Sequence, residues 1–307
     1  MELDSDLLRN LCSLHGPSGD EVLAKQFILK YIEKNMTSWS VVPEVYQGEE
    51  FQNCIILKFG KPKTAIFAHI DTIGFTVRYQ NQLVPIGGPQ AENGYELVGR
   101  DSLGDIECTL QVDSENRLSH DFARPVDRGT NLTFKCDFRE TAEEIQSCYL
   151  DNRLGVYNAL KVAETLKDGV IVFSTWEEHG GGAVPFLIKF IYEHWQVKKT
   201  LVSDITWVTD GILPGHGVVI SLRDRNIPRK IFIDEITSLA QQSGLDYQLE
   251  VEGSGSSDGR EIQISPYPID WCFIGAAESN VHSPDETVHK ADITSMIKMY
   301  SYLMKHL

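Results

Sequence analysis

The chain has 307 residues, of which 42% are hydrophobic and 23% are charged, and this is the composition of an ordinary globular protein. Its 44 acidic and 28 basic residues give a formal net charge of -16. A surface this acidic repels phosphate backbones and anionic lipid, so the charge argues against nucleic acid and membrane surfaces as partners.

The cysteines and the apolar segments indicate the compartment. Six scattered cysteines form no C-x-x-C pair, so neither a disulfide framework nor a cysteine zinc site is predicted. The first residues lack the basic and apolar regions of a signal peptide, and no apolar run approaches the roughly 18 residues of a membrane span. We therefore predict a cytoplasmic protein.

The first part of the chain is predicted to contain a helix followed by strands. Ser18 to Glu21 has the pattern of a capping box, with an amphipathic helix behind it from residue 22 to about residue 36. Three short β-rich runs follow, at residues 41–46, 54–59 and 64–68. The last run is apolar throughout, which is typical of a central strand that is buried on both faces.

Residues 75–148 have a different sequence pattern. Short alternating strands at 75–79, 82–86, 106–112 and 132–138 are separated by Gly, Asn and Asp turns, and no helical pattern is present. This predicts a small all-β, barrel-like domain inserted into a larger catalytic domain of residues 1–74 and 149–307.

After residue 150 strands and helices alternate. Strands are predicted at 170–174 and 200–205, and helices at 153–166, 184–194, 230–243 and 292–307. Alternation of this kind predicts an α/β fold with a doubly wound, mainly parallel sheet and flanking helices.

Four polar clusters follow buried strands, and ligands gather at the carboxyl ends of strands in such sheets. His69 ends the first strand, and Asp71 is placed to orient its imidazole on a metal, although a histidine before an aspartate is more often a structural strand end. Asp151 opens a helix and, taken alone, is best explained as an N-cap. Asp204 and His282 are each ordinary when taken alone.

The segment from Glu177 to Gly182 is the most informative cluster. Two adjacent glutamates follow an apolar strand and precede three glycines, where backbone can approach a bound group closely. Adjacent side chains point in different directions, so one glutamate can bind a metal while its neighbour overhangs a metal-bound water as a proton shuttle.

Together, two histidines and three carboxylates, one of them shared, can give each of two divalent ions nitrogen and oxygen ligands with room for water. Two such ions polarise a carbonyl, lower the pKa of a bridging water and stabilise an oxyanion. Zinc is the predicted metal, with cobalt and manganese as alternatives, because the ligand types do not decide between them.

In order and type, these clusters resemble the glutamyl and deblocking aminopeptidases, metallopeptidase family forty-two. The resemblance covers nearly the whole chain. It is carried by these segments: 16–21 (GPSGDE), 68–75 (AHIDTIGF), 84–88 (VPIGG), 151–155 (DNRLG), 177–180 (EEHG), 204–206 (DIT), 255–259 (GSSDG) and 282–284 (HSP).

The resemblance implies a role for each of these residues. His69, Asp151 and Asp204 would hold one ion, and Asp151, Glu178 and His282 the other. Glu177 would be the general base and later the general acid, with Asp71 as the outer partner of His69. The substrates would be short peptides cleaved at the N-terminal residue, and the inserted domain would help to build a homo-oligomer.

Three departures from the family pattern change the charge beside Asp151, the loop beside Glu177 and Glu178, and the substrate contacts. Asn152 replaces the second aspartate of Asp-Asp-Arg, and the glycine loop of residues 180–182 is one residue short. Residues 277–280 (AESN) replace a segment that usually contains arginine before His282. The insert is also compact for the family, and the sequence does not indicate which residue is cleaved.

Other functions compete with this prediction. A related amidohydrolase, such as a deacylase or carboxypeptidase, would use the same metals. A catalytically silent relative that binds metal or peptide would be expected to lack ligands or the base, yet all are present. A glycosidase would need two carboxylates about 5–10 Å apart across a cleft, and it would leave both histidines without a role.

Overall fold

The computed structural model describes residues 3–307. Over this range it contains seven α-helices. They are α1 (Ser5–Cys12), α2 (Val22–Asn35), α3 (Leu150–Ala163), α4 (Val184–Trp195), α5 (Lys230–Ser243), α6 (Gly259–Ile264) and α7 (Lys290–His306). Single 3-10 turns lie at Met36–Ser38 and Glu49–Phe51.

The same range contains seventeen strands. They are β1 (Glu44–Tyr46), β2 (Ile55–Phe59), β3 (Thr64–His69), β4 (Gly74–Val77), β5 (Leu83–Ile86), β6 (Glu96–Asp101), β7 (Gly104–Val112), β8 (Leu118–His120), β9 (Asn131–Phe134), β10 (Arg139–Glu140), β11 (Glu144–Ser147), β12 (Gly169–Ser174), β13 (Lys199–Trp207), β14 (Val218–Arg223), β15 (Tyr247–Val251), β16 (Asp270–Ser279) and β17 (Glu286–His289).

The larger of two sheets has the order β1-β2-β12-β3-β13-β16-β17-β11-β10, with β14 and β15 branching from β16. Its centre, β12-β3-β13-β16, is parallel, and the strands toward both edges are antiparallel. Strand β3 lies between two parallel neighbours and is buried along its whole length, as its apolar sequence predicts.

Helices cover both faces of this sheet. On one face α1, α2, α3, α5 and α7 enclose the largest apolar core, which includes Leu8, Leu154, Phe232 and Tyr300. On the other face α4 and α6 pack over a second core through Leu187 and Ile262. This arrangement confirms the predicted α/β class with a mainly parallel central sheet and flanking helices.

The second sheet is antiparallel, has the order β5-β4-β9-β6-β7-β8 and encloses its own core, which includes Phe75, Leu97 and Phe134. It is the separate barrel-like sheet expected of the insert. The domain division at residues 75–148 stays a prediction. Strands β10 and β11 lie within that range but pair with each other, and β11 pairs with β17 of the large sheet.

One local prediction was wrong. Glu21, not Ser18, is the N-cap of α2, and no side chain caps that helix. The Ser18 hydroxyl instead donates to Asp71 at 2.6 Å, while Glu21 accepts from the Gly19 amide. A carboxylate 53 residues away in the chain outcompetes the local cap, which the sequence pattern cannot show.

Candidate metal centre

The predicted ligands meet at the carboxyl ends of the central parallel strands. His69 is the last residue of β3, Asp204 lies in β13 beside it, and Glu178 follows β12. Asp151 lies at the start of α3, where its backbone is non-helical, and His282 lies in the turn after β16. The Asp151 side chain makes no N-cap hydrogen bond, so the cap interpretation of this residue was wrong.

The five side chains form two groups that share Asp151. Ligand atoms of His69, Asp151 and Asp204 lie within 4.8 Å of one another, and so do those of Asp151, Glu178 and His282. His69 Nε2 lies 3.3 Å from Asp151 Oδ1 and 3.4 Å from Asp204 Oδ2. His282 Nε2 lies 3.3 Å from Asp151 Oδ2 and 3.2 Å from Glu178 Oε2.

These separations fit divalent cations. Two ligands about 2.0–2.1 Å from one ion in tetrahedral geometry are about 3.3–3.4 Å apart. Within the described part of the chain, the buried atoms His69 Nε2 and Glu178 Oε1 have no hydrogen-bond partner. Buried polar atoms without partners are rare in proteins, so each of these two atoms is available as a ligand for an ion.

The other nitrogen of each imidazole has a fixed partner. His282 Nδ1 lies 3.0 Å from the carbonyl oxygen of Gly88, and His69 Nδ1 lies 3.2 Å from that of Asp71. A carbonyl oxygen only accepts, so each Nδ1 carries a proton and Nε2 faces the carboxylates. This is how metal-binding histidines are usually held.

The Asp71 carboxylate holds the glutamate loop. Its oxygens accept from the amides of Glu177 and Glu178, both at 3.2 Å, and from the Ser18 hydroxyl. The nearer of its oxygens lies 3.5 Å from His69 Nδ1, farther than the Asp71 carbonyl. Asp71 therefore contacts both the imidazole and the loop, and the carboxylate makes its hydrogen bonds to the loop.

Glu177 stands beside the two groups and belongs to neither. Its Oε2 lies 3.9 Å from His69 Nε2. Burial, with the nearby charges of Glu178 and Asp204, raises the pKa of the Glu177 carboxyl well above its usual range, and His69 opposes this. Burial and Asp151 likewise raise the pKa of Glu178 to about 7, while His282 lowers it.

Two further residues support the ligands, and the sequence patterns do not single them out. Glu286, buried in β17, accepts from the backbone amides of Asp151 and His282 at 3.2 and 2.9 Å. Ser257 donates to Asp204 Oδ2 at 2.6 Å. Ser257 lies in one of the resemblance segments, whereas no signal near Glu286 distinguishes it from an ordinary strand residue.

The centre opens into a cavity of about 890 Å³. Residues of the centre on its wall include Asp151, Glu177, Glu178, Asp204 and His282. Glu278, from the segment that departs from the family pattern, also lines it and is 1% exposed. Burial and the neighbouring Glu286 and Asp151 raise the pKa of Glu278 well above its usual range.

Solved structures of aminopeptidases share this fold. An aminopeptidase, APDkam598, from the archaeon Desulfurococcus kamchatkensis shares the fold with a TM-score of 0.86 and 20% identity, covering 98% of this chain and 94% of that one. The Pyrococcus horikoshii TET1 peptidase, which can assemble into a tetrahedron or a large octahedral shell, gives a TM-score of 0.80 and 18% identity, covering 98% of each chain.

The sequence comparisons give the family. A protein of Acetivibrio thermocellus described as "Putative aminopeptidase" is 25% identical over 96% of both chains. The pattern of the M42 glutamyl aminopeptidase family matches residues 108–299, and the chain belongs to that family. It is therefore an enzyme, a peptide hydrolase of the metallopeptidase class. Among residues 3–307, no helix has both the length and the apolar character needed to cross a membrane.

Proposed function

We propose that this chain is an aminopeptidase that binds two divalent ions and removes N-terminal residues from short peptides. The observation that carries the proposal is the pair of ligand groups sharing Asp151, with ligand atoms at the spacing of tetrahedral coordination. His69, Asp151 and Asp204 would hold one ion, and Asp151, Glu178 and His282 the other. Nitrogen and oxygen donors of this kind suit zinc, with cobalt and manganese as alternatives.

The chain's own groups have separate tasks around these ions. When bound, the ions polarise the scissile carbonyl and make a water molecule more acidic. Glu177 takes the proton of the attacking water and passes it to the leaving amine. Its raised pKa makes the carboxylate a stronger base for taking that proton. Asp71 keeps Glu177 in place through the loop amides.

Replacing the proposed base tests this function. For Glu177→Gln we expect an unchanged metal content, because Glu177 belongs to neither ligand group, and a fall in kcat of roughly 100-fold or more, the usual contribution of a general base. Metal analysis and initial rates on amino-acid p-nitroanilides measure the two quantities. A variant that keeps its turnover would show that another group is the base.

The substrate panel separates this function from its relatives. Amino-acid amides carry a free amino group and are substrates of an aminopeptidase, whereas N-acyl amino acids are the substrates of a deacylase. Cleavage of N-acyl amino acids alone would overturn the aminopeptidase proposal. Metal-loaded protein that cleaves nothing in a broad panel would favour the silent, peptide-binding alternative.

We also propose a homo-oligomer in the cytoplasm. The assembly described for the Pyrococcus horikoshii TET1 peptidase and the shared fold support the first part. The six cysteines are all free thiols, which supports a reducing compartment. Light scattering on the purified protein should give a mass that is a multiple of 34.6 kDa, and a monomer at micromolar concentration would contradict the oligomer.

A further inference from the structure

The cavity above the metal centre has more acidic side chains than two divalent ions would balance. The wall residues include eight carboxylates and, among the described residues, neither lysine nor arginine. Four of the eight, Asp151, Glu177, Glu178 and Asp204, belong to the centre and would be balanced by two divalent ions. The other four come from three separate parts of the chain: Asp224, Glu250 with Glu252, and Glu278. We call these four the acidic wall.

One member of the acidic wall, Glu278, has no polar partner among the described residues. The residue is 1% exposed, and neither of its side-chain oxygens has a hydrogen-bond partner within the part of the chain that the structure describes. An unpaired buried carboxylate is costly, since burial removes its hydration and nothing replaces it. A cation arriving from the cavity would supply the missing contact.

The rest of the acidic wall lies in surroundings suited to an elongated side chain. Glu250 is 3% exposed and is held by the Thr206 hydroxyl, two residues after the ligand Asp204. Trp207, next in the chain, also lines the cavity and keeps 40% of its surface exposed. An exposed indole that lines the same cavity as carboxylates favours a methylene chain that ends in a cation.

From this geometry we infer that the acidic wall binds the cationic side chain of an N-terminal lysine or arginine, so that the enzyme prefers peptides with a basic first residue. Substrates with an acidic first residue would meet uncompensated like charge and bind poorly. The inference rests on the proposed aminopeptidase function and adds the substrate class to it.

Lysine and norleucine p-nitroanilides test the inference, because norleucine has the same carbon chain without the ammonium group. We expect kcat/KM for lysine to exceed that for norleucine by about tenfold or more, the effect of a hydrogen bond to a charged group. Glutamate p-nitroanilide should be the poorest of the three. Added salt should raise KM for lysine and leave KM for norleucine nearly unchanged.

Substitutions in the acidic wall test whether these residues cause the preference for lysine over norleucine. Glu278→Gln and Glu252→Gln each remove one charge from the acidic wall, and each should lower the lysine-to-norleucine ratio several-fold. Glu252 is only partly buried, so its variant keeps the test valid if Glu278→Gln fails to fold. Glu115→Gln is the matched control, since Glu115 is 67% exposed and pairs with Arg117 in the insert. Its ratio should equal that of the parent protein.

Calorimetry separates failure of the inference from failure of the proposed function. Lysinamide and norleucinamide are titrated into zinc-loaded Glu177→Gln, where turnover is blocked. Tighter binding of lysinamide supports the acidic wall even if no peptide is ever cleaved, in which case only the proposed function falls. Cleavage of peptides with equal rates for lysine and norleucine, or a preference for glutamate, overturns the inference and leaves the aminopeptidase standing. An equal loss of activity on all substrates in Glu278→Gln would instead mean that Glu278 binds the α-amino group, which every substrate has.

Discussion

Asp71 connects the metal centre to the loop that carries Glu177 and Glu178. Its carboxylate accepts from both loop amides and from Ser18, and its carbonyl accepts from His69. One residue thus fixes the imidazole through its backbone and the glutamates through its side chain. The predicted partner of His69 was the Asp71 carboxylate, whereas the hydrogen bond comes from the Asp71 carbonyl oxygen, and the hold on the loop was not foreseen.

Replacing Asp71 by Asn should therefore impair turnover more than substrate binding. The amide nitrogen would face a backbone N–H or the Ser18 hydroxyl in place of an acceptor, so at least one hydrogen bond to the loop is lost. We expect kcat to fall at least tenfold and metal affinity to fall roughly 10–100-fold, with a small change in KM. Steady-state kinetics and metal titration measure these quantities.

Ser18→Ala is the graded control, because it removes only one of the three hydrogen bonds to the carboxylate. It should cost less in kcat than Asp71→Asn. If Asp71→Asn has normal kinetics, the loop is held by other contacts and Asp71 has no positioning role.

At the scale of elements, the start of α3 is positioned by close packing against β13. The Asn152 side chain donates to the Ser203 carbonyl and accepts from the Gly155 amide, both at 2.8 Å. A Cβ on Gly155 would overlap both Asn152 Oδ1 and the Ser203 carbonyl oxygen. Close approach of helix and strand therefore requires glycine here, and it places Asp151 opposite the end of β3.

Gly155→Ala should destabilise the protein by roughly 1–3 kcal/mol, because the helix start must move away from β13. The midpoint of urea unfolding measures the change. Gly211→Ala is the matched control: a Cβ there meets nothing within 4 Å, so its effect should stay within about 0.5 kcal/mol. Equal midpoints for the two variants would contradict the proposed packing constraint.

At the scale of the whole molecule, the centre joins segments that are far apart in the sequence. Asp151, the proposed shared ligand, and His282 both depend on Glu286, which accepts from their backbone amides. Buried carboxylates repel one another until cations neutralise them. Metal binding should therefore stabilise the native fold as well as supply the chemistry.

Zinc at a hundred times its dissociation constant should raise the free energy of unfolding by about 2.7 kcal/mol, and chelation should reverse the gain. Scanning calorimetry with and without metal measures it as a rise in Tm. Asp151→Asn removes the shared ligand and should lose most of the rise, whereas Glu177→Gln should keep it. Identical Tm values with and without zinc in the parent protein would contradict the metal centre.

The sequence by itself determined the α/β class and a separate all-β sheet, because strand and helix periodicities are local patterns. His69, Asp151, Glu178, Asp204 and His282 could be predicted on that basis together with the family resemblance. Their roles as ligands stay predictions.

Only the tertiary structure decided the contacts around these residues, because pairing of β3 with β12 and β13 is a long-range property. It brought Ser18 to Asp71 in place of a helix cap and placed Glu286 behind two ligands. It also gathered the acidic wall from residues up to 54 positions apart, a convergence that no local spacing records.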